Sequence, residues 1–235
     1  QMRLTALLLF LIILFSSTGA RAQSAIDQVD LELVLAADGS GSIDAGEFAL
    51  QRAGYASAIT DPDVLSAIQS GRFGRIALAY MEWGAPESQE TIVDWMVISD
   101  LASAQVFAER LLAAPRVVYG YNSISNAIIH ANAMIVANQW DAPRKIIDIS
   151  GDGPQINGEP LGPVRDEAMN QGITINALVI KTAGGGFRGP GGLALIEHYR
   201  RDVIGGFGAF AMVAESREEF ALAIRNKMIQ EIAER

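Results

Sequence analysis

The sequence predicts a doubly wound α/β fold: a mostly parallel six-stranded sheet with helices on both faces and one antiparallel edge strand. Three observations carry this. Short apolar runs alternate with stretches of helical periodicity along nearly the whole chain. The runs are too short for helices and too continuous to face water on one side, as in strands buried on both faces. Helix starts are marked by Asp44 with Glu47 and by Ser216 with Glu219, both of which fit capping boxes. Such alternation implies right-handed crossovers, and ligands then bind outside the carboxyl ends of the strands.

Taken in order, residues 31–37 form the first strand, and a helix follows Asp44 with Phe48, Arg52, Tyr55 and Ile59 at helical spacing. That helix stops at Thr60-Asp61-Pro62, and a short helix over 64–68 closes at Gly71. Residues 75–83 are the second strand. Residues 91–98 alternate polar and apolar, which marks the half-exposed antiparallel edge. An amphipathic helix covers 102–113, and 123–138 is apolar almost all round, the pattern of a helix packed deep against the sheet. Strands over 145–149, 173–180 and 209–214 alternate with helices over 164–170, 193–201 and 216–232. Residues 184–192 are a glycine-rich loop. Its Arg188 suits an anion, although a loop tip is the commoner meaning.

Residues 1–22 are set apart. Arg3 precedes an apolar stretch over 6–15, and Ala20-Arg21-Ala22 is a small-x-small cleavage signal, so a secretory leader is expected. The stretch is shorter than the ~20 residues that span a bilayer, so no stable membrane insertion is expected after cleavage. The expectation is a single domain over 23–235 in a periplasmic or secreted protein of a Gram-negative bacterium. Its 235 residues, half of them hydrophobic, supply a large core, and none is a cysteine, so no disulfide is needed. A net charge of −9 argues against nucleic acid and anionic membrane surfaces as partners.

The chemistry is concentrated where the first strand ends. After the apolar run come Asp38, Ser40 and Ser42, three hard oxygen donors at alternate positions separated by Gly39 and Gly41. The glycines are expected to let the backbone curl so that all three turn toward one divalent cation. One carboxylate and two hydroxyls suit Mg²⁺ or Mn²⁺ rather than Zn²⁺.

Asp38-x-Ser40-x-Ser42 after a hydrophobic strand resembles the metal-ion-dependent adhesion site of von Willebrand factor type A domains. The resemblance runs from about Asp30 to the end of the chain, and its last part is similar to an uncharacterised exported bacterial branch of that family. It implies two further ligand positions. A loop threonine is expected before the buried helix, where this chain has Asn122 followed by Ser123; the Asn122 carbonyl suits Mg²⁺ or Ca²⁺, and capping is the alternative for both residues. The second position is Asp152, in Ser150-Gly151-Asp152-Gly153 after the fourth strand. The function implied is a secreted binding module, not an enzyme, whose cation takes an Asp or Glu carboxylate from a protein partner.

Two rivals remain open. A metal-dependent hydrolase or phosphatase needs a general base near the cation, and Glu82 is the only unassigned carboxylate expected on that face. A metal-free scaffold is the other, with Asn122 marking a lost site. Nucleophilic catalysis has little to build on: there is no Gly-x-Ser-x-Gly elbow and no phosphate-binding glycine loop. Of the two histidines, His130 is expected at the boundary of a buried helix and His198 on an outer one. Asp148 within its strand is expected to be a hydrogen-bonded structural acid, and Glu82-Trp83 to shape the rim of the site, with plain packing as the alternative for Trp83.

Overall fold

β1 (Glu32–Asp38) holds the centre of the molecule because all seven of its residues are buried, and both of its neighbours run parallel to it. These are β2 (Ile76–Trp83) and β4 (Lys145–Gly151). β3 (Gln89–Ile98) closes one edge antiparallel to β2, while β5 (Ile173–Ile180) and β6 (Ala211–Ala214) extend the other edge in parallel. The order is β3-β2-β1-β4-β5-β6, in a computed structural model that describes residues 28–181, 186–216 and 219–233. The expected leader at 1–22 lies outside the described residues, as do residues 184 and 185 of the glycine-rich loop.

Helices cover both faces, as the unbroken apolar strands require. On one face lie α1 (Ala45–Ile59), α2 (Pro62–Gln69), α3 (Leu101–Ala113) and α7 (Phe220–Ala233). Their core includes Leu33, Leu35, Tyr55, Tyr80, Phe107 and Ile224. On the other face, α4 (Ile124–Ala137), α5 (Leu161–Asn170) and α6 (Leu195–His198) pack on Val34, Ala36, Trp83, Ile147 and Ile149. Alternate residues of β1 thus feed opposite cores, which fixes its register.

Three local expectations are corrected. α4 is amphipathic rather than buried all round: Ile129 and Val136 are exposed, since only the stripe through Ile124, Ala127, Ile128, Ala131 and Ile135 meets the sheet. The helix expected over 193–201 is one α-helical turn that widens into a π-helical segment, Tyr199–Val203. The last strand is shorter than expected, starting at Ala211, because the chain before it is held by the Asn176 side chain, whose Oδ1 accepts from Phe210 N at 3.1 Å. No helix among the described residues is long and apolar enough to cross a membrane.

Candidate functional site

β1 ends on Asp38 and β4 on Gly151, and because the two strands are parallel neighbours, Asp38 and Asp152 emerge side by side at the same edge of the sheet. The loop after β1 is held by its own side chains. Asp38 Oδ1 accepts from Ser40 N at 2.8 Å, Ser40 Oγ lies 3.0 Å from Ser42 Oγ, and Ser42 Oγ donates to Asp152 Oδ1 at 3.1 Å. From the far side, Asn122 Nδ2 donates to Asp38 Oδ2 at 3.1 Å. Five of the six residues singled out from sequence therefore meet in one hydrogen-bonded cluster. Ser123 does not join it: its Oγ donates to Asn126 Oδ1 at 2.8 Å and accepts from Asn126 N at 3.4 Å, as the N-cap of α4.

The loop's curvature has a different source from the one expected. Neither Gly39 nor Gly41 has a positive φ. The left-handed residue is Gly120 (φ 80°), whose carbonyl accepts from Gly41 N at 2.8 Å, so the segment before α4 shapes the loop from outside. Arg116, on the same segment, was not signalled by any motif. Its Nη2 lies 3.0, 2.9 and 3.0 Å from the carbonyls of Gly39, Ser40 and Ile43, and its guanidinium sits over the Phe48 ring at 4.5 Å. This one side chain gathers three carbonyls of the loop. Replacing Arg116 with Ala should loosen the loop, weakening any ligand held by Ser40 and Ser42 by roughly tenfold, the scale seen for outer-shell partners. Titration of the variant beside wild type checks this, and unchanged affinity would show the loop to be rigid without it.

Asp152 is anchored from the opposite face. Tyr199, fully buried in the π-helical segment, donates its hydroxyl to Gly153 O at 2.9 Å. The bare Gly151 makes room for this: a Cβ there would lie 2.7 Å from the Tyr199 hydroxyl and 3.1 Å from Trp83. His198 lies on α6 and is buried. Gln155 N donates to its Nε2 at 3.3 Å, so the ring proton sits on Nδ1, 2.7 Å from Asp202 Oδ2. His130 is half-buried, and its Nε2 lies 2.9 Å from Thr91 Oγ1. Trp83 is not a rim residue: it is fully buried and donates to Ala36 O at 3.0 Å.

Glu82, the nominated base, is engaged elsewhere. Its carboxylate is fully buried and receives Arg52 Nε at 2.8 Å and Nη2 at 3.0 Å, with the Tyr80 hydroxyl at 3.3 Å. A bidentate arginine pair of this kind occupies both carboxylate oxygens and fixes their orientation.

The electrostatics of the cluster follow from burial. Asp38 is fully buried and Asp152 nearly so. Burial first, and the neighbouring Asp152 second, push Asp38 up to about 7, against the pull of the Ser40 hydroxyl and amide. The same two acids, added to burial, raise the Tyr199 phenol well above its ordinary value. Among the described residues no group of three or more His, Cys, Asp or Glu side chains converges as a metal site. The cluster offers two carboxylates, two hydroxyls and an amide.

Comparison with known proteins agrees with this architecture. A search of curated proteins returned no match. Among solved structures, proximal thread matrix protein 1 from the mussel byssus superposes with a TM-score of 0.62 at 13% identity, over 88% of this chain and 47% of its own. That protein has also been solved with zinc in its MIDAS motif. The pilus adhesin SpaC of Lactobacillus rhamnosus GG gives 0.60 at 14% identity, over 87% of this chain and 31% of its own. The vWF domain of the type V pili tip protein Mfa5 of Porphyromonas gingivalis gives 0.58 at 12% identity, covering 88% and 97%. This chain thus spans about half the mussel protein and under a third of SpaC, and what it shares with all three is the von Willebrand factor type A fold. Over residues 28–235 the sequence matches one family, and the chain belongs to it: the family described as "Protein of unknown function (DUF1194)", here with a von Willebrand factor A-like fold.

Proposed function

We propose that the chain is an exported, metal-dependent protein-binding module. The observation that supports this is the meeting of Asp38, Ser40, Ser42, Asn122 and Asp152 in one cluster at the carboxyl edge of the sheet. Burial and the neighbouring Asp152 make an ionised Asp38 costly without a cation, and no lysine or arginine among the described residues pairs with Asp38. An oxygen-only donor set fits Mg²⁺ or Mn²⁺, with Ca²⁺ less well matched to so small a set. When bound, the cation would accept a carboxylate from an Asp or Glu of a partner protein. The chain's own residues position the site: Arg116 gathers the Ser40–Ser42 loop, and Tyr199 fixes the backbone after Asp152. The neighbours that are pilus proteins, by their descriptions, suit an exported adhesion role. The hydrolase reading is weaker, since its nominated base Glu82 is held by Arg52.

Asn122 decides how strong the site is. Its amide nitrogen faces Asp38, and the isosteric exchange of the amide's two ends would present oxygen to a cation instead. Titrating Mg²⁺ and Mn²⁺ into the wild-type protein should give saturable binding. Asn122→Thr should tighten it several-fold if Asn122 is a weakened ligand, because a hydroxyl replaces an amide that must first give up Asp38. Equal affinity in the two proteins would make Asn122 a strut only. No saturation at millimolar cation would favour the metal-free scaffold. Export carries its own check: mass spectrometry of the protein secreted by a native-like host should find Gln23 at the amino terminus, and an intact Met2 would refute cleavage at this point.

A further inference from the structure

A cavity of about 320 Å³ opens beside the metal cluster, at the carboxyl ends of β5 and β6. Asp152 belongs to both: its carboxylate accepts from Ser42 in the cluster and also lines this cavity. The other walls are mainly apolar, from Val179 and Ile180 of β5, Val213 of β6, and Leu195 and Ile196 of α6. Phe187, about half exposed, stands at the lip. Apart from Asp152, the charged side chains lining it are Lys181, whose Nζ is paired with Glu215 Oε2 at 2.6 Å, and Arg188. The lip is built rather than loose. Gly189 N donates to Leu193 O at 3.0 Å, Arg188 pairs with Ala194 as an antiparallel bridge, and the Arg188 guanidinium returns to Gly192 O at 3.0 Å.

We infer that this cavity is a specificity pocket, taking the large apolar side chain that stands next to the metal-bridging carboxylate in the partner. The inference rests on the reading of the cluster given above and narrows the partner to an acidic segment in which Asp or Glu adjoins a residue such as Leu or Phe. Size supports it, since a few hundred cubic ångströms is the scale of ligand pockets and matches one or two side chains rather than a fold. Chemistry supports it too: apolar walls reward an apolar side chain, and the one acid in the wall is the acid shared with the metal cluster. Arg188, whose guanidinium bonds a backbone carbonyl, adds an attraction for acidic flanking residues, and this part of the affinity will fall with salt.

The test uses biotinylated peptides Gly-Gly-Asp-X-Gly-Gly and Gly-Gly-X-Asp-Gly-Gly, with X as Gly, Leu or Phe, binding to the full chain in Mg²⁺ and in chelator. The expected result is metal-dependent binding that strengthens by at least about tenfold when X is Leu or Phe, from the apolar area the pocket buries. Ala194, an exposed residue of the lining, can be enlarged with little risk to the fold. Ala194→Trp should fill the cavity, erase the preference for Leu and Phe, and leave Mn²⁺ binding and the Gly peptides unchanged. Val213→Ser, which weakens the apolar wall without filling the space, should reduce the same preference; circular dichroism melts confirm that both variants are folded. Metal-dependent binding that is equal for Gly, Leu and Phe, or a preference that survives in folded Ala194→Trp, overturns the pocket while leaving the metal-bridged reading intact. No metal-dependent binding of any peptide overturns both.

Discussion

Asp38→Ala will abolish saturable Mg²⁺ and Mn²⁺ binding, raising the dissociation constant by more than about a hundredfold, beyond the loss typical of an outer-shell change. The reason is local. Asp38 is tied to Ser40 N on one oxygen and to Asn122 on the other, so its removal takes away a charge and also the strut between the two loops. What remains is Asp152 with two neutral hydroxyls, too little to offset the dehydration of Mg²⁺. The stability readout moves in two directions. With cation at a hundred times its dissociation constant, wild-type protein should gain about 2.7 kcal/mol and the variant nothing. In chelator the order should reverse for Asp38→Asn, which keeps the shape but removes one of two facing buried acids. That variant should melt at or above wild type. Thermal melts of the three proteins with Mg²⁺ and with chelator measure all of this. A wild-type melt that ignores the cation, or an Asp38→Ala protein that still binds it, would end the metal assignment.

Much of this was legible in the sequence, for a physical reason. Strands buried on both faces have no freedom to hide their apolar character, so 31–37, 145–149 and 173–180 announced themselves, and parallel packing then put Asp38 beside Asp152. Capping is equally local, and both Asp44 Oδ1 to Glu47 N at 2.8 Å and its return bond at 2.9 Å are present as expected. What sequence did not disclose depends on long-range geometry. Arg116 carries no motif; it matters because Gly120 turns the chain so that a guanidinium lands on three carbonyls more than seventy residues away. The π-helical widening at Tyr199–Val203 has no periodic signature, and it carries the fully buried Tyr199. Trp83, at a strand end beside a turn, is fully buried in the core that covers this face of the sheet, with its indole N–H donated to Ala36 O. In the last helix the apolar positions Phe220, Ile224, Met228 and Ile232 stand at helical spacing, whereas nothing in that spacing marks Lys227 and Glu231 as buried. The missed signal was in the strands: Asp148 and Asn176, polar residues inside apolar runs, needed partners from whichever helix covered them.

Those partners give the second large expected effect. Lys227→Met should destabilise the fold by about 3–5 kcal/mol, the cost of stranding buried charges when one member of an ion pair is removed. Lys227 is fully buried, its Nζ lies 2.7 Å from Asp148 Oδ1, and it also bonds Glu231 Oε1 one turn along α7. Asn176 Nδ2 donates to the same Glu231 oxygen at 2.9 Å. The group therefore holds two acids and one base in a dry interior. Burial raises Asp148, and burial followed by the repulsion of Asp148 pushes Glu231 up to about 7, with Lys227 opposing both shifts. Because Glu231 is raised in the folded state above an ordinary 4.5, its favourable contribution is full below about 4.5 and disappears as pH climbs through about 7. Between those limits the native state binds the extra proton, so stability should fall with rising pH, by on the order of 3 kcal/mol for a shift of this size. Glu231→Gln should remove that slope and make the protein more stable than wild type at pH 8, leaving Asp148 and Lys227 as a matched pair. Lys227→Met should steepen the slope, since two unpaired acids must then hold protons, and its deficit should be larger at pH 8 than at pH 5.5. Urea unfolding at these two pH values, compared in the wild-type and Asp38→Asn backgrounds, separates this group from the Asp38–Asp152 cluster. A Lys227→Met protein within about 1 kcal/mol of wild type at pH 8 would mean that water reaches these charges and that α7 is held by its apolar face alone.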